Sequence, residues 1–346
     1  MSAPRLVITE VDPRDAGFDV AFQAWHAVYA AAERHGREDT ATPWQRDELR
    51  VQLQEPSIRR RSTVFAGRLN GELVATGLIE TPLLDNLERC ELSVHVLPGH
   101  RRRGLGTAML AHLERVAGER GRRVLGGETS YAYEAGPEGV GESGPEFARA
   151  RGYDLAIGDV QRVLRLPVEE RLLDRLDAEA APHHTAYRLR SWVGPVPEEL
   201  LGGWAALTAT LNTEAPTGGL DLEPESAEPA AVREGEALAA KQGRTMYNTV
   251  ALAPDGALVA YTDLVTTGHE PGRAYQWGTL VRRDHRGHRL GVAVKVSNLR
   301  LLQAERPDID HLVTWNAEGN GPMVAVNELL GFEPVARLAE FQKRLG

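Results

Sequence analysis

A chain of 346 residues and 37.9 kDa is about twice the usual single-domain size, so two domains of roughly 100 to 200 residues are expected rather than one core. Lys plus Arg number 40 and Asp plus Glu 49, a net charge of −9, which argues against sequence-independent nucleic-acid binding and favours cationic small molecules. With 42% hydrophobic and 26% charged residues the composition excludes disorder, collagen and coiled coil. A single cysteine, Cys90, excludes a disulfide framework and a Cys-rich zinc site. His183-His184 lacks further ligands at metal spacing, so no metal is expected. No apolar run reaches signal-peptide or membrane-span length, so a cytoplasmic protein without a membrane partner is expected.

In chain order, residues 6–9 read as a strand and 18–33 as a helix, with Phe22, Trp25, His26, Tyr29 and Ala30 at helical spacing. Strands at 63–69 and 72–79 meet across Asn70-Gly71, a dipeptide suited to a tight hairpin turn. A strand at 91–96 leads to a helix at 104–120, whose Leu105, Ala108, Met109, His112, Leu113 and Val116 share one face. A strand at 123–127 and a short helix ending at 151 follow. Residues 168–180 form a charged helix with Leu172, Leu173 and Leu176 on one side, closed by Pro182. From 188 the plan repeats: a strand at 188–193, a helix near 198–211, a hairpin turning at Pro254-Asp255-Gly256, a strand at 275–281, a helix at 290–305, a strand at 311–316 and a helix at 322–330.

Two Arg- and Gly-rich clusters follow strands in this plan, one through Arg101-Arg102-Arg103-Gly104-Leu105-Gly106 and the other through Arg286-Gly287-His288-Arg289-Leu290-Gly291. Their offset is 286 − 101 = 185. A second landmark, Arg151-Gly152-Tyr153 and Leu330-Gly331-Phe332, recurs at 332 − 153 = 179, a difference that loops absorb. A tandem duplication is therefore expected, with domains at 1–166 and 182–346 and a helical linker at 167–181.

A strand that turns through such a cluster into a helix gathers unpaired N–H groups and the positive end of the helix dipole at one point, which makes an anion site. Glycine permits close approach, and arginine suits phosphate. A dinucleotide-binding reading is the weaker alternative: Gly104, Gly106 and the later Glu128 mimic its pattern, but Met109 stands at the third glycine and the second cluster has no G-x-G.

At these residues the chain resembles the GNAT N-acetyltransferase superfamily, in a tandem arrangement of actinobacterial type. Its signature, Arg/Gln-x-x-Gly-x-Gly/Ala, is matched fully by Arg101 to Gly106 and in part by Arg286 to Gly291, where Arg289 stands at the first glycine. The second half also carries an Asn-bearing stretch, Thr314-Trp315-Asn316-Ala317-Glu318-Gly319-Asn320, then Ala325-Val326-Asn327-Glu328-Leu329-Leu330-Gly331-Phe332. The resemblance implies an α+β fold, two tandem domains each with a mixed, mostly antiparallel sheet flanked by helices. It implies acetyl-CoA as acyl donor in a gap between parting parallel strands. It assigns cofactor contacts to Val96, Arg101, Arg102, Arg103, Gly104, Gly106 and Thr107, to Val281, Arg286, Gly287, His288, Arg289, Gly291 and Val292, and to Asn316, Asn320 and Asn327.

Transfer to a primary amine of a small molecule, directly from the thioester, is the implied reaction. Glu91, ten positions before Arg101, is the implied base; the same count in the second half gives Gln276, so Asp263 is a substitute. The family's acid tyrosine falls on Ala148 and Asn327, which leaves Tyr131 or Tyr133 in the first half. Acidic stretches carrying Glu128, Glu134, Glu138, Glu142 and Glu146, and Glu214, Asp221, Glu223, Glu225 and Glu228, would draw a cationic amine to each mouth. The competing class is a non-catalytic acyl-CoA sensor or scaffold, and the sequence leaves monomer and homodimer open.

Overall fold

Asn70 and Gly71 adopt φ of 52° and 86°, as a tight two-residue turn requires, and the strands on either side pair antiparallel from Leu69↔Glu72 outward. The computed structural model describes residues 6–345; residues 1–5 and 346, the outer limits of the two expected domains, lie outside it. The elements run β1 (Val7–Glu10), α1 (Phe18–Arg34), α2 (Arg46–Gln54), β2 (Arg60–Leu69), β3 (Glu72–Pro82), β4 (Arg89–Val96), α3 (Leu105–Glu119), β5 (Val124–Ala132), α4 (Ser143–Ala150) and β6 (Asp154–Arg165). They continue with α5 (Glu170–Ala180), β7 (Arg188–Val193), α6 (Glu198–Thr208), α7 (Leu211–Glu214), α8 (Pro229–Lys241), β8 (Arg244–Leu252), β9 (Leu258–Thr267), β10 (Arg273–Val281), α9 (Leu290–Glu305), β11 (His311–Ala317), α10 (Gly321–Leu330) and β12 (Glu333–Arg344).

Two compact units emerge, each built from non-contiguous chain. Unit 1 takes the residues up to Gly158, Gly219–Asp221 and those from Ala336 onward. Its strands are ordered β1-β2-β3-β4-β5-β12, and only β4 and β5 run parallel. Side chains alternate across a strand, so one sheet face packs Cys90, Leu92, Leu125 and Phe341 under Met109 and Leu113 of α3. The other packs Val64 and Ala66 under Phe22, Trp25 and Tyr29 of α1 and Leu49 of α2.

Unit 2 takes Asp159–Gly218 and Leu222–Val335, with strand order β6-β11-β10-β9-β8-β7 and one parallel pair, β10 with β11. Helices α9 and α5 cover one face through Val296, Leu299 and Leu302 with Leu173 and Leu176. Leu200, Leu201, Trp204 and Leu207 of α6 cover the other.

The units exchange their last strands along the sequence. Strand β12, at the far end of the chain, pairs with β5 from Ala336↔Ala132 to Arg344↔Val124, whereas β6, from the first half, pairs with β11 from His311↔Arg165 to Ala317↔Asp159. The expected boundaries at 166 and 182 therefore shift: unit 2 begins at Asp159. The expected linker is core, because Leu173, Leu176 and Ala180 of α5 are buried and Glu170, Asp174 and Asp177 all accept from Arg300 of α9. The dinucleotide reading falls here, since a doubly wound parallel sheet is absent from both units. No helix of the described residues is long and apolar enough to cross a membrane.

Phe341, 2% exposed, belongs to the core of unit 1 although it lies five residues from the end of the sequence. Phe341→Ala should cost about 3–5 kcal/mol, and hydrogen exchange should quicken in β5 while β8 and β9 keep their protection. Faster exchange in β8 and β9 with β5 unchanged would contradict the exchanged topology.

Candidate functional site

The parallel contact of unit 1 is short. Arg89↔Val124, Cys90↔Leu125 and Glu91↔Gly126 pair, after which β4 runs on to Val96 and β5 to Ala132 without pairing to each other. Unit 2 repeats this with Arg273↔His311, Ala274↔Leu312 and Tyr275↔Val313 before β10 and β11 part. Each splay leaves backbone of the central strands without a ladder partner.

On the α1 side of unit 1 the registers align carboxylates across four strands. Glu80 faces Glu91, Glu91 faces Gly126, and Glu128, two residues further on the same face, is paired with Glu340 of β12. Gly126 leaves the space that the Glu91 carboxylate occupies, and a Cβ there would force that carboxylate to move. Glu91 accepts from Arg89 Nε at 2.7 Å; desolvation raises its pKa and Arg89 opposes the rise. Glu33 of α1 accepts from His95 at 2.9 Å. Burial works to raise Glu33, but His95 and Arg37 outweigh it and hold it below its ordinary value.

Glu128 differs from these. Desolvation in the cleft comes first, and the like charges of Glu340, Glu91, Glu33 and Glu80 add to it, pushing Glu128 up to about 8. Its side chain nevertheless remains open to solvent and can exchange a proton with water.

Both loops after the splay share one backbone conformation. Left-handed φ occurs one and three residues after the first arginine: Arg102 at 62° and Gly104 at 78°, Gly287 at 88° and Arg289 at 52°. The copies have exchanged glycine and arginine between these two positions. An arginine in this region costs about 1 kcal/mol. Arg289 nonetheless occupies the N-cap of α9 as Gly104 occupies that of α3. The backbone N–H groups of 102–107 and of 287–292 donate to no acceptor among the described residues.

Arg101 and Arg286, expected on the cofactor, instead clamp these loops. Arg101 donates Nε to Val96 O at 3.1 Å and Nη2 to Ala32 O at 3.1 Å; Arg286 donates Nε to Val281 O at 3.2 Å and Nη2 to Glu214 Oε2 at 3.0 Å. Arg102, Arg103, Gly287, His288 and Arg289 are exposed around the N–H groups, and Thr107 lies in the first helical turn. Val292 turns its side chain into the core, so only its backbone faces the loop. Val96 and Val281 flank the first turns, where a Cβ on Gly106 would lie 3.4 Å from the Phe147 ring and one on Gly291 only 3.9 Å from Val281.

At the splay of unit 2 the positions of these four carboxylates are taken by other residues. By strand pairing the counterparts of Glu80, Glu91, Glu128 and Glu340 are Val265, Tyr275, Trp315 and Gln161. Counting back from the loop gives Gln276 instead, one residue off, because a bulge between Gln276 and Thr279 adds a residue to β10. Tyr275 stacks on Trp315 at 6.1 Å, and Trp277 is 43% exposed beneath Arg244.

Asp263 and Gln276 brace the bulge. Asp263 Oδ1 accepts from Gly278 N at 2.7 Å, and Gln276 Nε2 donates to Asp263 O at 2.7 Å. Burial pushes Asp263 up to about 7, and its Oδ1 is held by the Gly278 N–H. Tyr131 is also displaced from its expected role: it is 2% exposed, and its hydroxyl donates to Pro137 O at 2.8 Å, which pins the Gly-rich insertion to β5.

Among the asparagines, Asn320 caps α10 by accepting from Met323 N, and Asn327 is fully buried. Asn316 alone of the three sits on a splayed strand with partial exposure. The acidic loops are largely self-paired: Glu138 with Arg149, Glu214 with Arg283 and Arg286, Asp221 with Arg344. Among the described residues no group of side chains could hold a metal ion.

Sequence reasoning placed Glu128 in a loop because it ended the strand at 127; the alternation of Glu128-Thr129-Ser130-Tyr131 carries β5 onward. Glu340 carried no local signal, since its neighbour Glu128 is distant in sequence. Lys295, a lone lysine inside the apolar run of α9, is a local sequence signal for a buried polar group.

Residues 25–131 match the acetyltransferase (GNAT) family. Among solved structures, a tandem GNAT protein from the clavulanic acid biosynthesis pathway, without acetyl-CoA, is similar over 99% of both chains at 26% identity and a TM-score of 0.77. A GCN5-related N-acetyltransferase from Sphaerobacter thermophilus shares the fold over 99% of this chain and 96% of its own, at 14% identity and a TM-score of 0.65. No curated protein matches the chain. Residues 25–131 thus match the GNAT acetyltransferase family, and the whole chain shares the fold of a tandem GNAT protein.

Proposed function

We propose that the protein transfers an acetyl group from acetyl-CoA to a primary amine of a small cationic molecule, and that the transfer takes place in unit 1. The observation that carries this reading is Glu128: a carboxyl raised by desolvation and by four like-charged neighbours, yet open to solvent, on the strand that parts from β4. A cationic acceptor relieves that repulsion on binding. Glu128 then takes the proton as the amine nitrogen attacks the thioester carbon. The C–N bond forms, the C–S bond breaks, and the thiolate is protonated from solvent, since Tyr131 is occupied elsewhere.

The unpaired N–H groups at 102–107, at the positive end of α3, suit the diphosphate of acetyl-CoA, with Arg102 and Arg103 adding charge at the rim. Backbone of β4 beyond Glu91 faces the splay and offers donors to the oxyanion. Glu91 lies beside the base on the same sheet face, and Arg89 favours its charged form against the desolvation that raises its pKa.

Unit 2 supports a second role. Its loop keeps the same conformation and free N–H groups, but Tyr275 and Trp315 replace the carboxylates. A non-catalytic acyl-CoA site fits unit 2, with turnover confined to unit 1.

Glu128→Gln should lower kcat/KM about 10²- to 10⁴-fold with acetyl-CoA affinity unchanged. Because the base works deprotonated and its pKa is raised, wild-type kcat/KM should climb as pH passes about 8, and the variant should lose that limb. Wild-type activity in Glu128→Gln would remove Glu128 from the mechanism.

The carboxylate row spans four strands, at least about 14 Å from three intervals of about 4.8 Å, since β4 and β5 have parted at Glu128. A diamine of matching length should therefore show a lower KM than the monoamine of equal chain length, by about tenfold. Equal KM values would confine recognition to the reacting amine.

A further inference from the structure

The reaction in unit 1 makes no use of a buried amine in unit 2. Lys295 of α9 is 2% exposed, and a lysine is almost never buried so far without a purpose that outweighs its desolvation. Its Nζ donates to Asn327 Oδ1 at 3.0 Å and lies 5.6 Å over the Phe332 ring. Asn327, 0% exposed on α10, in turn donates Nδ2 to Oδ1 of Asn316 on β11. Asn316 lies three residues past Val313, where β11 has already left β10, and is partly exposed. The three side chains form a polar thread from the buried helix to the splay.

The thread has a direction. In its protonated form the amine has no lone pair and only donates, and Asn327 turns its oxygen toward Lys295 to accept that bond. Its NH₂ then faces Asn316 and requires the Asn316 oxygen. That leaves the Asn316 NH₂ on the outer fork, as a donor at the splay with no partner among the described residues. Burial pushes the Lys295 amine down to about 7, and the Asp263 carboxylate opposes this by favouring the protonated form.

Unit 1 has no such thread. Counting nine residues from the clamping arginine places Leu110 where Lys295 stands, and strand pairing places Thr129 at Asn316, packed against Gly144.

We propose that Lys295 is a positioning residue which, through Asn327, fixes the Asn316 amide as a hydrogen-bond donor, so that the splay of unit 2 selects a ligand by a carbonyl group, the pantetheine amide or thioester of an acyl-CoA. This rests on the reading that unit 2 receives acyl-CoA. Asn316 touches the ligand; Lys295 and Asn327 act through it.

The test is an NMR titration of the full chain, following the amide signals of Gly287 and Gly291 for unit 2 and of Gly104 and Gly106 for unit 1. Acetyl-CoA and ADP serve as probes, because ADP carries the diphosphate without any carbonyl. Lys295→Met should weaken acetyl-CoA at unit 2 roughly tenfold, the loss of about one well-made hydrogen bond. ADP binding at unit 2 and both ligands at unit 1 should be unchanged. Lys295→Gln, which keeps a donor without the charge, should restore most of the affinity.

Equal losses for acetyl-CoA and ADP would show a merely structural lysine and overturn the proposal, as would no loss at all. Should Lys295→Met fail to fold, Asn316→Asp decides. It replaces the outward donor by an acceptor, and unchanged acetyl-CoA affinity would overturn the proposal. Acetyl-CoA that leaves Gly287 and Gly291 of the wild type unmoved would overturn the underlying reading of unit 2, a result distinct from a failure of the variants alone.

Discussion

The site depends on one constraint: the central parallel strands of each unit hold together for three residue pairs and then separate. A parallel ladder that continued would satisfy every backbone group and leave no room for a substrate. Separation exposes strand backbone inside the unit, and it does so where the following loop delivers its own unpaired N–H groups at a helix N-terminus. Gly126 lies at the last paired position of unit 1, and its missing side chain leaves the space that Glu91 fills. The cleft, the anion cradle and the carboxylates all follow from where the ladder stops.

Around that shared frame the two copies have diverged in ways that local sequence only partly reveals. Arg102 and Gly104 in one loop correspond to Gly287 and Arg289 in the other, with the same pair of left-handed positions. Conformation has been kept while glycine has moved, because the clamp from Arg101 or Arg286 to the carbonyl five residues before it fixes the turn from within. The sheet faces have not been kept. Where unit 1 carries Glu80, Glu91, Glu128 and Glu340, unit 2 carries Val265, Tyr275 and Trp315 together with the amide of Gln161. One face repels its own charges until a cation arrives; the other offers rings.

Much of this was legible from the residues alone. The duplication, the Asn70-Gly71 hairpin, α9 at its observed limits and the loop geometry followed from turn chemistry and helical spacing. What failed was long-range. Strands β6 and β12 carry no signal for the partner they choose, so the exchange between units and the arrival of Glu340 beside Glu128 were invisible. The bulge in β10 displaced the alignment by one residue, which led to Gln276 and Asp263 as candidates when both brace the strand. Helix α5 looked like a linker because its polar face is rich in charge. Its acidic residues are in fact gathered by Arg300 while Leu173 and Leu176 enter the core.

Acetyl-CoA binding in unit 1 requires the N–H groups beyond the splay to receive it. Amide hydrogen exchange across 102–107, with and without acetyl-CoA, measures this directly, since these groups donate to no protein acceptor among the described residues. Exchange there should be fast in the free protein and slow by at least tenfold on saturation, with β1 and β2 unaffected. Exchange at 102–107 that stays equally fast at saturating acetyl-CoA would contradict binding there.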